Sequence, residues 1–241
     1  MEMWGDGPGA HPSPPTRSAL EWAAKEGDRL GRWRLINTFR RTFLDTLGKM
    51  TDPQLLGFLL GDGYATYNKA RKSYDVGFEQ SIRKNWPILA AYTALMTKTG
   101  NRIQVGLKKD DKMRVYIYSR PLYHQIKELR RTSAKTFMAM KDLEKLRFIA
   151  GFFDAEGSMT AKEISLYNRD KELLDAIAKF LRSNEISCLV RPCKNIFRVR
   201  IRSKSSRLKF MKLFSRFSIK LMLRKSLLTA EVKPRRGRRE G

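Results

Sequence analysis

Between residues 50 and 217 the hydrophobic positions follow two periods in turn, one near four residues and one of two. Residues 55–60 (LLGFLL) and 148–153 (FIAGFF) are dense apolar stretches, and each runs into an acid followed by glycine, Asp62-Gly63 and Glu156-Gly157. Each reads as a short buried helix ending at that pair. Behind the first, alternation predicts strands near 64–69 and 74–80, then a helix over 84–99 that Gly100 ends, strands over 102–108 and 112–119, and a helix over 121–130 with Pro121 at its favoured first position. Behind the second, the same reading gives a helix over 143–155, strands at 158–162 and 163–168, a helix over 170–184, strands at 186–192 and 196–202, and a helix over 204–216. The order αββαββα therefore occurs twice, and the fold class is α+β.

The two stretches align as an internal repeat. Leu55 pairs with Ile149, Gly57 with Gly151, Gly61 with Ala155, Asp62 with Glu156 and Gly63 with Gly157, and the strand-like MRVYIYSR (113–120) matches FRVRIRSK (197–204). The expected organisation is a basic N-terminal extension over 1–49, a first half over 50–131, a linker over 132–141, a second half over 142–217 and a basic tail over 218–241. Within the extension, 1–17 reads as a Pro/Gly-rich leader. Residues 18–48 read as a helix opening at Ser18, with Trp22, Leu30, Trp33, Leu35, Phe39 and Phe43 at helical spacing and Arg32, Arg34, Arg40 and Arg41 on it. Met50 offers a second start of translation.

Charge narrows the partner. The chain of 241 residues holds 50 Lys and Arg against 24 Asp and Glu, a net +26. Self-repulsion of that size is relieved by a polyanion, which points to nucleic acid. No apolar run approaches the ~20 residues that span a bilayer, and no secretion signal is evident at the front. Two cysteines, Cys188 and Cys193, build neither a disulfide framework nor an all-cysteine zinc site. They suit a reducing, cytoplasmic and nucleoid-associated location, and an organellar one also fits. With only His11 and His124, sites needing several imidazoles are excluded.

The repeated helix carries the chemistry. Gly57 and Gly61 share a face, as do Gly151 and Ala155, so two such helices can approach backbone to backbone. Their C-terminal ends then meet, and Asp62 and Glu156 sit side by side where each helix already carries partial negative charge. A divalent cation answers that arrangement. The free terminal carbonyls of Gly61 and Ala155 add oxygen ligands, and Gly63 and Gly157 are expected to take the left-handed turn out of each helix.

LLGFLLGDG (55–63) and IAGFFDAEG (149–157) resemble the two motifs of a LAGLIDADG homing endonuclease of the monomeric, double-motif type, most like archaeal intron-encoded members. The resemblance spans about residues 50–217. It implies two pseudo-symmetric halves, each with a four-stranded antiparallel sheet, that together form a DNA-binding saddle. It implies a site-specific endodeoxyribonuclease making a metal-dependent staggered double-strand cut at a long asymmetric target and promoting intron mobility. Asp62 and Glu156 would be the metal-binding acids, aided by Gly61 and Ala155, with Mg²⁺ as the ion and Mn²⁺ as a substitute. Gln80 and Asn168 would join the catalytic set by ordering water. The chain departs from the pattern at Leu60, where the motif has Asp. Asp154, which keeps that residue, reads as structural or capping. Ser81 and Met159 stand where related members carry Lys, and Lys162 is the nearest replacement.

Strand alternation then selects the DNA face. Val76, Phe78, Ile103, Val105, Val115, Ile117, Ile164, Leu166, Val199 and Ile201 should face the helices. Arg71, Ser73, Asp75, Glu79, Arg102, Gln104, Lys112, Arg114, Tyr116 and Tyr118 in the first half, and Lys162, Ser165, Tyr167, Arg198, Arg200 and Arg202 in the second, should face double-stranded DNA. The alternative reading is an intron maturase that binds intron RNA on the same fold, alone or in addition to cleavage; retention of both acids favours cleavage. No membrane partner is expected.

Overall fold

A computed structural model describes residues 52–108 and 111–223. The readings made for 1–49 and for most of the tail lie outside the described residues. Among those described, the order is α1 (Asp52–Gly61), β1 (Gly63–Asn68), β2 (Ser73–Ser81), α2 (Ile82–Thr97), β3 (Ile103–Lys108), β4 (Lys112–Tyr118), α3 (Arg120–Arg131), α4 (Ser133–Ala139), α5 (Asp142–Glu156), β5 (Gly157–Met159), β6 (Ile164–Asn168), α6 (Lys171–Ser183), β7 (Leu189–Cys193), β8 (Ile196–Ile201) and α7 (Lys204–Phe214). The strands form two four-stranded antiparallel sheets, ordered β1-β2-β4-β3 and β5-β6-β8-β7. Val76 pairs with Ile117 and Phe78 with Val115, while Ile164 pairs with Ile201 and Leu166 with Val199. All eight side chains are fully buried against the helices, as the alternation requires. No helix among the described residues is long and apolar enough to cross a membrane.

The halves meet at α1 and α5. A Cβ on Gly57 would run into the Phe148 carbonyl, and one on Gly151 into the Gln54 carbonyl, so side chains are excluded where the two backbones touch. Around this seam Phe58 stacks on Tyr92 at 3.7 Å and meets Phe78 edge-on at 5.1 Å. On the other side Phe148 lies parallel to Phe152 at 6.4 Å.

Several local expectations change. The connecting segment contains α4, and Phe137 on it is fully buried, its ring 5.5 Å from Phe148. The polar stretch is thus anchored by one aromatic residue. The chain after residue 217 does not leave the body at once: Ser218, Ile219 and Leu221 are buried, and 219–223 is helical. Gly157 is extended (φ −84°, ψ 146°), and Gly63 also lies outside the left-handed region. Glycine is required there because a Cβ would strike the carbonyls of Leu59 and Phe153. The expected strand at 158–162 stops at Met159, because Thr160 closes a turn with Glu163. The strand expected from 186 begins at Leu189, since Ile186 and Cys188 are buried and the Ser187 amide is held by Ser206 Oγ.

Candidate active site

The site grows from the helix seam. The C-terminal ends of α1 and α5 lie together because Gly61 has no side chain: its absent Cβ would sit 2.6 Å from Ala155 Cβ and 2.8 Å from Glu156 Cγ. Asp62 follows directly, its amide still bonded to the Phe58 carbonyl at 3.0 Å. Burial pushes the Asp62 carboxyl above its ordinary range, opposed by the hydrogen bond from Gln80 and by the Lys220 charge. Burial raises Glu156 as well, the negative charge of Asp62 adds to the shift, and Lys220 opposes it. Two carboxylates that resist ionisation together are a place where a cation gains most.

Gln80 lies on the helix-facing side of β2. Its Nε2 donates to Asp62 Oδ2 at 2.5 Å, and its Oε1 accepts from Asn85 Nδ2 at 2.6 Å, so the amide is held from both sides. Asn168 occupies the matching place on β6, and its amide oxygen is engaged locally. Its Oδ1 accepts from the Asp170 amide at 2.8 Å, at the start of α6, where Asp170 in turn caps Leu173. The structure therefore brings Asp62, Glu156, Gln80, Gly61 and Ala155 together and leaves Asn168 at a helix start.

Lys220 completes the group and was hidden in what read as tail. Its Nζ donates to the carbonyls of Gly157 at 3.0 Å, Ala155 at 3.2 Å and Phe153 at 3.4 Å. Burial lowers its pKa, while Asp154, Asp62 and Glu156 pull it back up. The Ala155 carbonyl, expected as a metal ligand, is thus engaged by an ammonium. Lys162, the expected basic neighbour, lies in the exposed turn 160–163, its amide on Thr160 Oγ1. What carries Lys220 inward is Asp154. This carboxylate is buried and accepts from Ser218 Oγ (2.6 Å), Tyr92 Oη (2.9 Å), the Ile219 amide (2.9 Å) and the Lys220 amide (3.0 Å). Gln54 adds a bond from Nε2 to the Phe217 carbonyl at 2.7 Å. The sequence signal for this segment is modest: a serine and two aliphatic residues, Ser218, Ile219 and Leu221, persisting past α7.

The donor set suits a hard cation: two carboxylates and backbone carbonyls, with no nitrogen or sulfur ligand among them. Among the described residues no three His, Cys, Asp or Glu side chains gather as a metal cluster. An ion here would rest on the two acids and complete its shell with oxygen from elsewhere.

Comparison with known proteins bears on the fold. Residues 144–214 match the model of a LAGLIDADG-like domain. Homing endonuclease I-DmoI of Desulfurococcus mucosus is 25% identical over 136 residues, 54% of this chain and 68% of that protein. Among solved structures, I-DmoI in complex with DNA and Ca is similar with a TM-score of 0.57 at 20% identity, covering 72% of this chain and 96% of that one. The homing endonuclease I-WcaI bound to its DNA recognition sequence gives 0.52 at 15% identity, over 83% and 93%. The full-length DUF199/WhiA protein of Thermatoga maritima gives 0.51 at 15% identity, over 89% and 66%. These structures share the fold.

The sheet face opposite the helices carries most of the remaining candidates. In the first half, Arg114 lies 4.4 Å above the Tyr64 ring, and its Nε donates to Tyr64 Oη at 2.6 Å. Glu79 pairs with Arg114 at 3.6 Å and Lys108 at 3.8 Å. Tyr116 and Tyr118 pack edge to face, with Arg71 against their hydroxyls. Gln104 is half-buried opposite Tyr116, while Arg102 and Lys112 are exposed. In the second half, Arg198, Arg200 and Arg202 alternate with buried Val199 and Ile201, and Tyr167 pairs with Arg198. Two candidates are covered. Asp75 accepts from Ser73 Oγ at 2.7 Å and is buried, and Ser165 is buried with its Oγ on Glu163.

Proposed function

We propose that the chain is a site-specific DNA endonuclease that makes a staggered, divalent-metal-dependent cut in both strands of a long asymmetric target, and that it acts as a monomer promoting intron mobility. The observation that carries this is the pair Asp62 and Glu156, held together at two touching helix ends beneath two sheets rich in Arg, Lys and Tyr. The fold shared with DNA-bound I-DmoI and I-WcaI supports it. Asp62 and Glu156, with the Gly61 carbonyl, would hold Mg²⁺ or Mn²⁺. Such an ion, when bound, supplies charge for the scissile phosphate and acidifies water. Gln80, itself held by Asn85, fixes the Asp62 carboxylate from one side. Lys220 balances part of the paired negative charge and holds the end of α5 rigid. The two sheets position the duplex. Nothing in the geometry favours the maturase alternative over DNA.

The test is incubation of the protein with its uninterrupted insertion sequence, with Mg²⁺ or with chelator. Wild type should give a staggered break only with the ion. Asp62→Asn and Glu156→Gln should each lower double-strand cleavage by at least about a thousandfold, on the order of 4 kcal/mol in the barrier, and keep specific binding. Cutting of both strands at the normal rate by either variant overturns the proposal.

A further inference from the structure

The second sheet carries a feature that general affinity for phosphate does not require. Arg200 sits on the central strand β8, opposite Ser165 on one side and Leu189 on the other. Its Nε donates to Glu163 Oε2 at 2.6 Å, and its side chain is 30% exposed against 20% for Glu163. The same carboxylate is 3.4 Å from Arg198 Nη1 and accepts from Ser165 Oγ at 3.3 Å. A carboxylate on a face meant for DNA repels phosphate. One that is bound by three neighbours on its own sheet acts on those neighbours. Glu163 engages the inner nitrogen of Arg200, so this pair fixes the planar guanidinium without using its two terminal amino groups.

We infer that Arg200 reads a guanine in the major groove and that Glu163 is its positioning residue; the inference rests on the DNA-cutting reading above. Guanine offers two acceptors, N7 and O6, spaced for a two-pronged guanidinium contact. Adenine places a donor at one of the two positions, cytosine offers a donor, and thymine has a single acceptor beside a methyl group. A fork fixed before the duplex arrives loses less freedom on binding than a mobile one. The first half has a looser pair at a different position, Arg114 Nε lying 3.6 Å from Glu79 Oε1. Tyr116 stands at the position equivalent to Arg200, and Arg114, equivalent to Arg198, directs its Nε to a tyrosine hydroxyl. The guanine therefore belongs to the half-site under the second sheet, and its absence from the other half contributes to the asymmetry of the target.

The experiment is a binding selection of the full-length protein on a randomised duplex library in Ca²⁺, repeated with Arg200→Ala, Arg200→Gln and Glu163→Gln. Wild type should enrich one family of sites containing a fixed guanine. Arg200→Ala and Arg200→Gln should lower the preference for guanine at that one position roughly ten- to a hundredfold and leave the other positions unchanged. Glu163→Gln should relax the same position and no other. If the Arg200 variants keep the full profile, or weaken binding to all sequences equally, Arg200 is a phosphate contact and the inference falls. A Glu163→Gln profile identical to wild type overturns the positioning role. Failure of wild type to enrich any site overturns the DNA-cutting reading itself, and this inference with it.

Discussion

Asp62 and Glu156 illustrate a conflict at the scale of single residues. Both carboxyls are held above the ordinary carboxylate range by burial, and Glu156 also by the charge of Asp62. Between the unfolded and the raised native values, the native chain binds more protons than the unfolded one. Stability of the ion-free, DNA-free protein must therefore fall as pH rises through that window, and remain lower above it. The double variant Asp62→Asn, Glu156→Gln should be more thermostable than wild type at neutral pH and lose the advantage in acid below the ordinary carboxylate range. Thermal denaturation across pH checks this. A wild type that gains stability as pH rises through the same window would contradict the shared desolvation. Added Mg²⁺ should raise the melting temperature of wild type and leave that of the double variant in place.

At the scale of elements, Asp154 joins α5 to the segment after α7. Asp154→Ala would strand the Tyr92 hydroxyl, Ser218 Oγ and two amides in the interior. With ~1–3 kcal/mol for each buried group left unsatisfied, a loss of at least ~3 kcal/mol is expected in urea denaturation. A loss below ~1 kcal/mol would show that the segment is held by Ile219 and Leu221 instead. The first half has Leu60 at this position and no such clasp. This contrast also marks how far the primary structure could be read. The repeat, the sheet composition and the helix seam were legible, because glycines at four-residue spacing and alternating aliphatic residues have few other uses. The acid pair was legible from its position in the repeat. Lys220 was not: a lone lysine in a basic tail carries no periodic signal, and what directs it is a buried acid far away in the chain. Asn168 makes a contact that the repeat did not signal, for the converse reason. Repeat position suggests a partner for Glu156, but the start of α6 needs an acceptor for the Asp170 amide, and that local demand wins.

For the molecule as a whole, the governing quantity is the net charge of +26. If the two sheet faces hold duplex DNA, binding releases condensed counterions, and affinity should fall roughly a thousandfold or more between about 50 and 200 mM salt. Titration of labelled target at several salt concentrations measures the slope, and a flat response would show that Arg198, Arg200, Arg202 and their counterparts face something other than phosphate. The halves are not equal in this respect, since exposed tyrosines mark the first sheet and arginines the second. The contact at Gly57 and Gly151 adds a constraint of another kind. Main chain resting on main chain leaves nothing compressible between the motif helices, so the gap separating Asp62 from Glu156 is a fixed gauge. If the chain cuts both strands as proposed, strand residues can drift to suit new base sequences while the offset from one scissile bond to its counterpart stays constant.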